Sequence, residues 1–195
     1  MLELIKSWDT QAFLAINGSH NSIFDFLMFW ASNKLIWVPL YLFFLYLLIK
    51  NYKWKTIGIF ISVIILIVLS DQGSVHLFKN VFLRLRPCHE PQLEGLVHLI
   101  NGKCGGQFGF ISSHASNTFG LAVFLIRFLS KKYRYFTILV LLWAAMVGYS
   151  RVYLGVHYPG DVIVGAAFGS LLGYVVFWSY NFLNIKWNTE RSRSV

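Results

Sequence analysis

The sequence predicts an all-α, polytopic membrane helix bundle with about five transmembrane helices plus an N-terminal interfacial helix. Of the 195 residues, 56% are hydrophobic and 13% are charged, and the mean hydropathy is +0.58. Soluble domains carry about 25% charged residues, so this composition favours a membrane protein. Five apolar stretches approach the roughly 20 residues that cross a bilayer. They lie at residues 35–49, 56–75, 114–130, 135–150 and 161–183.

The first and fourth stretches are short for a full crossing. The first is flanked by Lys34 and Lys50, whose long side chains can reach the interface and so extend the span. Upstream, Leu2, Ile5 and Trp8 recur at helical spacing, while charged residues interrupt the apolar run of residues 1–33. This pattern favours a helical region on the membrane surface over a sixth span. We expect residues 1–195 to form a single domain, because no linker or repeat divides them.

The distribution of basic residues predicts an orientation. Two basic loops, at residues 50–55 and 131–134, fall on the same side of the membrane if the five spans alternate. Lysine and arginine are enriched in cytoplasmic loops, which places this side inside the cell. The N-terminus and an active-site loop at residues 76–113 then lie outside. We therefore predict a multi-pass protein of the cell (inner) membrane whose site faces outside or the periplasm.

The net charge of +9 does not indicate a nucleic-acid partner. The basic residues divide between the cytoplasmic loops and the outer side, and no nucleic-acid-binding motif accompanies them. Anionic lipid head groups in the bilayer are the expected partners. No pattern in the sequence fixes an oligomeric state.

Three short polar segments stand out in this apolar chain, at residues 79–87, 111–114 and 150–161. Together they supply cations, imidazoles, hydroxyls and one carboxylate. Fixed positive charge can hold the oxygens of a phosphoryl group while an imidazole attacks the phosphorus. The segments therefore predict a site for phosphoryl chemistry. Its candidate residues are Lys79, Arg86, Ser112, Ser113, His114, Arg151, His157 and Asp161.

The first two segments contain groups suited to binding an anion. Lys79 and Arg86 are seven residues apart, which predicts that they share one face of a helix that Pro87 ends. Ser112 and Ser113 precede the third span, where they can cap a helix whose free N–H groups favour an anion. Taken alone, each is more typical of an interfacial cation or of an ordinary helix cap.

The third segment contains the groups of a histidine nucleophile. Asp161 follows His157 by four residues, so its carboxylate can hold one ring nitrogen and leave the other free. Asp161 also follows Pro159 at the expected start of the last span, where a negative charge is stabilised. His114, in the first turn of the third span, is a candidate general acid.

The three segments resemble the three-part signature of the type 2 phosphatidic acid phosphatase family, integral-membrane lipid phosphate phosphatases related to vanadium haloperoxidases. The family pattern is Lys, six residues, Arg-Pro; then Pro-Ser-Gly-His; then Ser-Arg, five residues, His, three residues, Asp. The second part differs here, with Ile111 in place of proline and Ser113 in place of glycine. The residues that match the first and third parts are Lys79, Arg86, Pro87, Ser150, Arg151, His157 and Asp161.

The resemblance implies a role for each matched residue. His157 would be the nucleophile that forms a phosphohistidine, oriented by Asp161, and His114 would be the general acid. The resemblance also implies that no metal or cofactor takes part, and no further His, Asp or Glu cluster has convincing ligand spacing in the sequence. The residues implied to cradle the phosphoryl group are Lys79, Arg86, Ser112, Ser113 and Arg151.

Two other functions fit the same composition, namely a transporter for an anion or lipid and a non-catalytic lipid-binding protein. A transporter typically has internal repeats or helices broken at the midplane, and neither is evident. The presence of His114, His157 and Asp161 disfavours a non-catalytic protein. We expect a phosphatase acting on a lipid phosphate or pyrophosphate, and we rank undecaprenyl pyrophosphate first. Phosphatidylglycerol phosphate, phosphatidic acid, lipid A phosphates and a sugar phosphate follow.

Both cysteines of the chain, Cys88 and Cys104, lie in the predicted outer loop. An exported loop meets oxidising conditions, so we expect a disulfide that closes the intervening segment. Two separate buried thiols are the alternative.

Overall fold

The computed structural model describes the backbone of residues 2–193 and the side chains of residues 3–185. This part of the chain is mainly helical, and its longest connection contains only short 3₁₀ turns. The predicted all-α bundle is therefore confirmed. In chain order the helices are α1 (Leu2–Gly18), α2 (Ser22–Ser32), α3 (Val38–Tyr52), α4 (Lys55–Gly73), α5 (Asn80–Phe82), α6 (Ser113–Leu129), α7 (Phe136–Tyr153) and α8 (Pro159–Arg193).

Four helical stretches within the described residues are long and apolar enough to cross a membrane. They are Lys34–Tyr52, Lys55–Phe82, Phe136–Tyr153 and Pro159–Ile185. The second is continuous because a π-helical segment, Ser74–Lys79, joins α4 to α5. These stretches contain four of the five predicted spans. The fifth, α6, is an apolar helix of 17 residues that packs among α4, α7 and α8.

A stripe of small residues lets α6 and α8 approach closely. Gly165, Gly169 and Gly173 recur every fourth residue along α8 and face the backbone of α6. A Cβ atom added at Gly165 would lie 2.7 Å from the carbonyl oxygen of Ser112, and one at Gly169 would overlap the carbonyl of Ser116. Such contacts are typical of membrane helices, where small residues permit dense packing. They fix the first turn of α6 beside the first turn of α8.

The core of the bundle is formed by apolar side chains from α3, α4, α6 and α7. Leu66, Phe124 and Leu129 are among the buried members of this cluster. The outward face of α4 is also apolar, and Phe60 and Ile64 are about half exposed there. Apolar residues on both faces are expected where the outer face meets lipid rather than water.

Helices α1 and α2 lie at the end of the bundle that carries the three polar segments. Phe13 and Asn17 of α1 are fully buried. The Asn17 side-chain amide donates to the carbonyls of Tyr153 at 2.7 Å and His98 at 2.9 Å, and it accepts from the His98 N–H. Within the predicted interfacial region 1–33, α1 and α2 are thus attached to the bundle end, while their position on the membrane surface stays a prediction.

The polar connection between α5 and α6 differs from the expectation in one respect. The helix that contains Lys79 ends at Phe82, because Leu83 adopts a left-handed conformation with φ of 49°. Residues 76–82 are therefore helical, and the non-helical connection is 83–112. The prediction that Lys79 and Arg86 share one helical face is wrong for the same reason, since Arg86 has an extended backbone.

Candidate active site

The three polar segments meet at one end of the bundle because successive helices alternate in direction. The residues come from the end of the α4–α5 helix, the start of α6, the last turn of α7 and the start of α8. Two backbone bonds hold the intervening loop in place, from Arg86 N to Gln107 O at 3.1 Å and from Gly109 N to Arg84 O at 2.8 Å. A disulfide between Cys88 and Cys104, with the Cα atoms 5.9 Å apart, closes the same loop.

Lys79 is held by hydroxyl groups from neighbouring helices. Its Nζ donates to Ser113 Oγ at 2.8 Å, and Ser74 Oγ lies 2.5 Å from the same oxygen. Lys79 and Ser74 both belong to the π-helical segment, a feature that is frequent at functional sites. Ser113 therefore uses the side chain that the family's glycine lacks to position the Lys79 cation.

The start of α6 has the form of an anion site. Ser112 is the N-cap, and its Oγ accepts a long hydrogen bond of 3.4 Å from the Ala115 N–H. Its own backbone N–H donates to the carbonyl of Asp161 at 3.0 Å, which ties α6 to α8. His114 follows in the first turn, partly buried and within electrostatic reach of Arg151 and His157. A free helix N-terminus beside a histidine suits an anionic substrate.

His157 and Asp161 form a buried pair. Nδ1 of His157 lies 3.4 Å from Oδ2 of Asp161, and neither side chain is more than 2% exposed. The same Oδ2 accepts from the Tyr158 backbone N–H at 2.9 Å, which fixes the carboxylate. The Nδ1 atom has no hydrogen-bond partner among the described residues, so its contact with Asp161 is electrostatic. With Nδ1 directed at a carboxylate, Nε2 is the nitrogen available to a substrate.

The surroundings of His157 keep the imidazole neutral. Burial lowers its pKa well below the usual 6.5, and the positive charges of Arg151, Arg86 and Lys79 lower it further. The backbone of Gly109 opposes this shift through a hydrogen bond. A neutral imidazole carries a lone pair, which is the form of histidine that nucleophilic chemistry requires.

Two arginines complete the positive charge around His157. Arg86 is 9% exposed and donates to the carbonyls of Phe108 and Cys104, both at 3.3 Å. Burial lowers its pKa below the usual value of a guanidinium, which nevertheless remains charged at neutral pH. Arg151 donates from Nη1 to Ser32 Oγ, whereas its buried Nε has no hydrogen-bond acceptor among the described residues. That spare donor suits the planar, bidentate binding of a phosphate.

Sequence reasoning missed two residues, Arg84 and Asp9. Arg84 donates from Nη1 to Asp161 Oδ1 at 2.9 Å and from Nη2 to Asp9 Oδ2 at 2.7 Å. Its guanidinium also lies 4.0 Å from the ring centre of Tyr158. Asp9 accepts from the Gly160 backbone N–H at 2.7 Å. Asp9 is one of several polar residues in the N-terminal helix, and the sequence alone contains no signal that pairs it with Arg84.

Two cavities adjoin the site. An apolar groove of about 510 Å³ runs between α3, α4, α6 and α7, with His114 and Lys34 at its polar end and Leu125 and Trp143 farther along. A more polar pocket of about 280 Å³ is lined by Arg151, Lys103 and backbone of the disulfide loop. Ser32 lines both cavities, and its hydroxyl accepts from Arg151, which lines the polar pocket. An amphiphile with a polar head and an apolar chain matches this arrangement.

Groups with the side chains of a metal site lie elsewhere in the described part of the chain. His20, Asp25 and His98 cluster near the α2 end, where His98 Nε2 is 3.1 Å from both carboxylate oxygens and the two imidazole rings are stacked. His89 lies beside the disulfide sulfurs. Neither group includes a residue of the predicted phosphoryl site.

Comparison with known proteins identifies the family. The model of the PAP2 superfamily matches residues 58–185, which include all three polar segments, and the chain belongs to this superfamily. A lipid A 4'-phosphatase of Bacteroides thetaiotaomicron is 41% identical over 91% of this chain and 79% of its own length. An undecaprenyl-diphosphatase of Sulfolobus acidocaldarius is 30% identical over 86% of this chain and 76% of its own.

The fold agrees with this assignment. The crystal structure of a transmembrane PAP2-type phosphatidylglycerolphosphate phosphatase from Bacillus subtilis superposes with a TM-score of 0.67 at 23% identity. The superposition covers 94% of this chain and 87% of that one. At this identity the likeness supports the helical membrane architecture and not the substrate.

Proposed function

We propose that this protein is a membrane phosphatase that hydrolyses a lipid phosphate through a phosphohistidine on His157. One observation carries the proposal: a buried His157–Asp161 pair lies among Lys79, Arg86 and Arg151, next to a groove suited to a lipid chain. The family assignment supports it independently. The proposed catalytic and phosphate-binding residues are the same as those predicted from the sequence. Ser113 is proposed to bind phosphate directly and also to position Lys79.

In the first step, Nε2 of His157 attacks the phosphorus and the bond from phosphorus to the ester oxygen breaks. Asp161 stabilises the positive charge that develops on the ring, because it faces Nδ1. Lys79, Arg86 and Arg151 balance the charge on the three phosphoryl oxygens. His114, which takes up a proton when the negative charge of the bound phosphate offsets the nearby cations, gives that proton to the departing lipid oxygen.

In the second step, a water molecule attacks the phosphohistidine. His114, now neutral, accepts the proton of this water, and the bond from phosphorus to Nε2 breaks. The products are inorganic phosphate and the starting state of His157. Each transfer uses a group already present in the site, so we expect turnover without added metal.

For the substrate, we rank a lipid A phosphate ahead of undecaprenyl pyrophosphate, which reverses the order expected from the motifs alone. The reason is that the lipid A 4'-phosphatase relative is 41% identical, whereas the undecaprenyl-diphosphatase relative is 30% identical. The polar pocket beside Arg151, lined also by Asn33 and Lys103, supports a bulky hydrophilic head group. The apolar groove beside His114 supports a chain that stays in contact with lipid.

The site is proposed to work at the outer face of the cell membrane, with lateral access from the bilayer. Lys53 and Lys132 lie at the opposite end of the helices from His157, and a cytoplasmic position for them follows from the positive-inside bias. The phosphate would remain at the polar helix ends while the lipid chains remain between the spans.

The decisive experiment uses purified protein in detergent with a panel of lipid A, undecaprenyl pyrophosphate and phosphatidylglycerol phosphate, and measures released phosphate. His157→Ala and His114→Ala should each lower turnover, the second by about 10²- to 10⁴-fold, the usual contribution of a positioned acid–base group, and the first by at least as much because it removes the nucleophile. Wild-type turnover should persist in EDTA. The matched control is Glu3→Gln, since Glu3 is 85% exposed and, among the described residues, forms an ion pair only with Lys6. Undiminished turnover in the His157 variant contradicts the mechanism.

A further inference from the structure

The carboxylate of Asp161 is an expensive group to bury. It is completely inaccessible to solvent, and an isolated buried charge costs several kcal/mol unless a counter-charge and hydrogen bonds compensate. One oxygen, Oδ2, is shared by the Tyr158 N–H and His157. The other oxygen, Oδ1, depends on Arg84, whose Nη1 donates to it at 2.9 Å. Arg84 therefore supplies both the counter-charge and the partner of the second oxygen.

Arg84 is itself held from two sides. Its Nη2 donates to Asp9 at 2.7 Å, and its guanidinium plane lies over the ring of Tyr158 at 4.0 Å. A guanidinium offers several donors in a fixed plane, which suits bridging two carboxylates in one orientation. Lysine has one compact charge and cannot reproduce this double contact.

Asp9 makes a second contact with the catalytic segment. Its Oδ1 accepts from the Gly160 N–H at 2.7 Å, at the first turn of α8. Carboxylates are stabilised at helix N-termini, because N–H groups are unpaired there. The fit is close, since a Cβ atom added to Gly160 would lie 2.8 Å from Asp9 Oδ2. Asp9 thus touches both the arginine that holds Asp161 and the backbone immediately before it.

We propose that Asp9 and Arg84 are positioning residues for the His157–Asp161 pair, so that helix α1 completes the active site from outside the three family motifs. This inference rests on the proposed function. Without Arg84, Oδ1 of Asp161 loses its partner, and the carboxylate rotates or takes up a proton. Either change removes the acceptor that holds Nδ1 of His157 and presents Nε2 to the phosphorus.

The test is a double-mutant cycle on Arg84→Gln and Asp9→Asn, measured in detergent on the substrate that wild type hydrolyses best. Arg84→Gln should lower kcat by about 10- to 100-fold, because misplacement of a catalytic group by about 1 Å can cost 10²-fold. Asp9→Asn should lower kcat by less, since the amide keeps one oxygen for Gly160. The double variant should be no worse than Arg84→Gln, because coupled residues are non-additive. Arg84→Lys should recover only part of the loss.

A second measurement separates positioning from damage to the fold. Inorganic phosphate binds through Lys79, Arg86 and Arg151, which the substitutions leave in place. Its inhibition constant, and KM, should therefore stay within about 3-fold of wild type while kcat falls, as expected when only the transition-state interaction is lost. Glu3→Gln, on the same helix α1, should match wild type.

The outcomes are distinct. Wild-type kcat in Arg84→Gln overturns the positioning role, as does additive behaviour of the two substitutions. A loss of phosphate binding in proportion to kcat also overturns it, because that result indicates general collapse of the site. If wild type releases no phosphate from any lipid, the proposed function itself fails, and the positioning role is then read from the ¹⁵N NMR signals of the His157 ring: signals unchanged in Arg84→Gln overturn the role, and altered signals with phosphate binding retained support it.

Discussion

Substituting Gly165 by alanine tests whether the close contact between α6 and α8 sets the geometry of the site. The new Cβ atom would lie 2.7 Å from the Ser112 carbonyl oxygen, about 0.7 Å short of the 3.4 Å at which ordinary contact begins. The obstacle is backbone, so the helices themselves must move apart. Ser112 is the N-cap of α6 and is bonded to Asp161, so the shift falls on the phosphate-binding end.

The expected loss is measurable in both stability and activity. Overpacking of a dense contact typically costs about 1–3 kcal/mol. A displacement of most of 1 Å should lower kcat by about 10-fold or more, given that 1 Å can cost 10²-fold. Thermal unfolding and phosphate release are measured on the same detergent-purified protein. Gly18→Ala is the matched control, because a Cβ atom there meets nothing within 4 Å. Wild-type stability and turnover in Gly165→Ala would refute the reasoning.

Three further results are expected. Non-reduced protein should resist thiol alkylation until a reductant is added, since Cys88 and Cys104 are bridged and the closed loop is worth about 3 kcal/mol; full labelling of unreduced protein contradicts this. In a background lacking both cysteines, a membrane-impermeant thiol reagent should label a cysteine at Glu94 but not one at Lys53 in intact cells, and the reverse pattern would place the site inside. The burial of His157 also predicts that the stability of the fold depends on pH. The pKa of His157 in the folded protein lies well below its value of 6.5 in the unfolded chain. The contribution of His157 to stability is therefore full above about pH 6.5 and is lost as the pH falls. Unfolding temperatures between pH 7.5 and 5 should therefore fall less in His157→Asn than in wild type, and equal slopes would contradict the neutral, buried state.

The spacing of the motifs is sufficient to predict that their residues lie close together in the fold. Lys79, Ser113, His157 and Asp161 fall at helix ends, and alternating helices place those ends on one side. The end of α5 was not predictable in the same way. Helices commonly end on a left-handed glycine, whereas here Leu83 takes that conformation, which is uncommon for a branched apolar residue. The sequence instead predicts that the helix ends at Pro87, four residues after Leu83.

Other contacts escape prediction because they join distant parts of the chain. Arg84 and Asp9 are 75 residues apart, and no periodicity links a loop arginine to a carboxylate on an N-terminal helix. The glycines of α8 show a contrasting case. Gly165 and Gly169 have the four-residue spacing of a close helix contact, a pattern readable from the sequence, although only the structure identifies α6 as the partner.

Because α6 is short, we expect the rate of turnover to depend on the thickness of the bilayer. Its 17 residues span about 25 Å at 1.5 Å per residue, whereas a typical hydrocarbon core is about 30 Å thick. The neighbouring Lys55–Phe82 helix, with 28 residues, is about 42 Å long and reaches well past that core. Ser113 lies beside Ser74 of this longer helix, whose last turns extend beyond the start of α6. If the protein acts on a lipid phosphate as proposed, the head group has to pass these turns to reach His114, and thinning of the membrane around the site would cost a fraction of a kcal/mol per Å. Reconstituted in vesicles of increasing acyl-chain length, the protein should turn over fastest in the thinnest bilayer that keeps it folded.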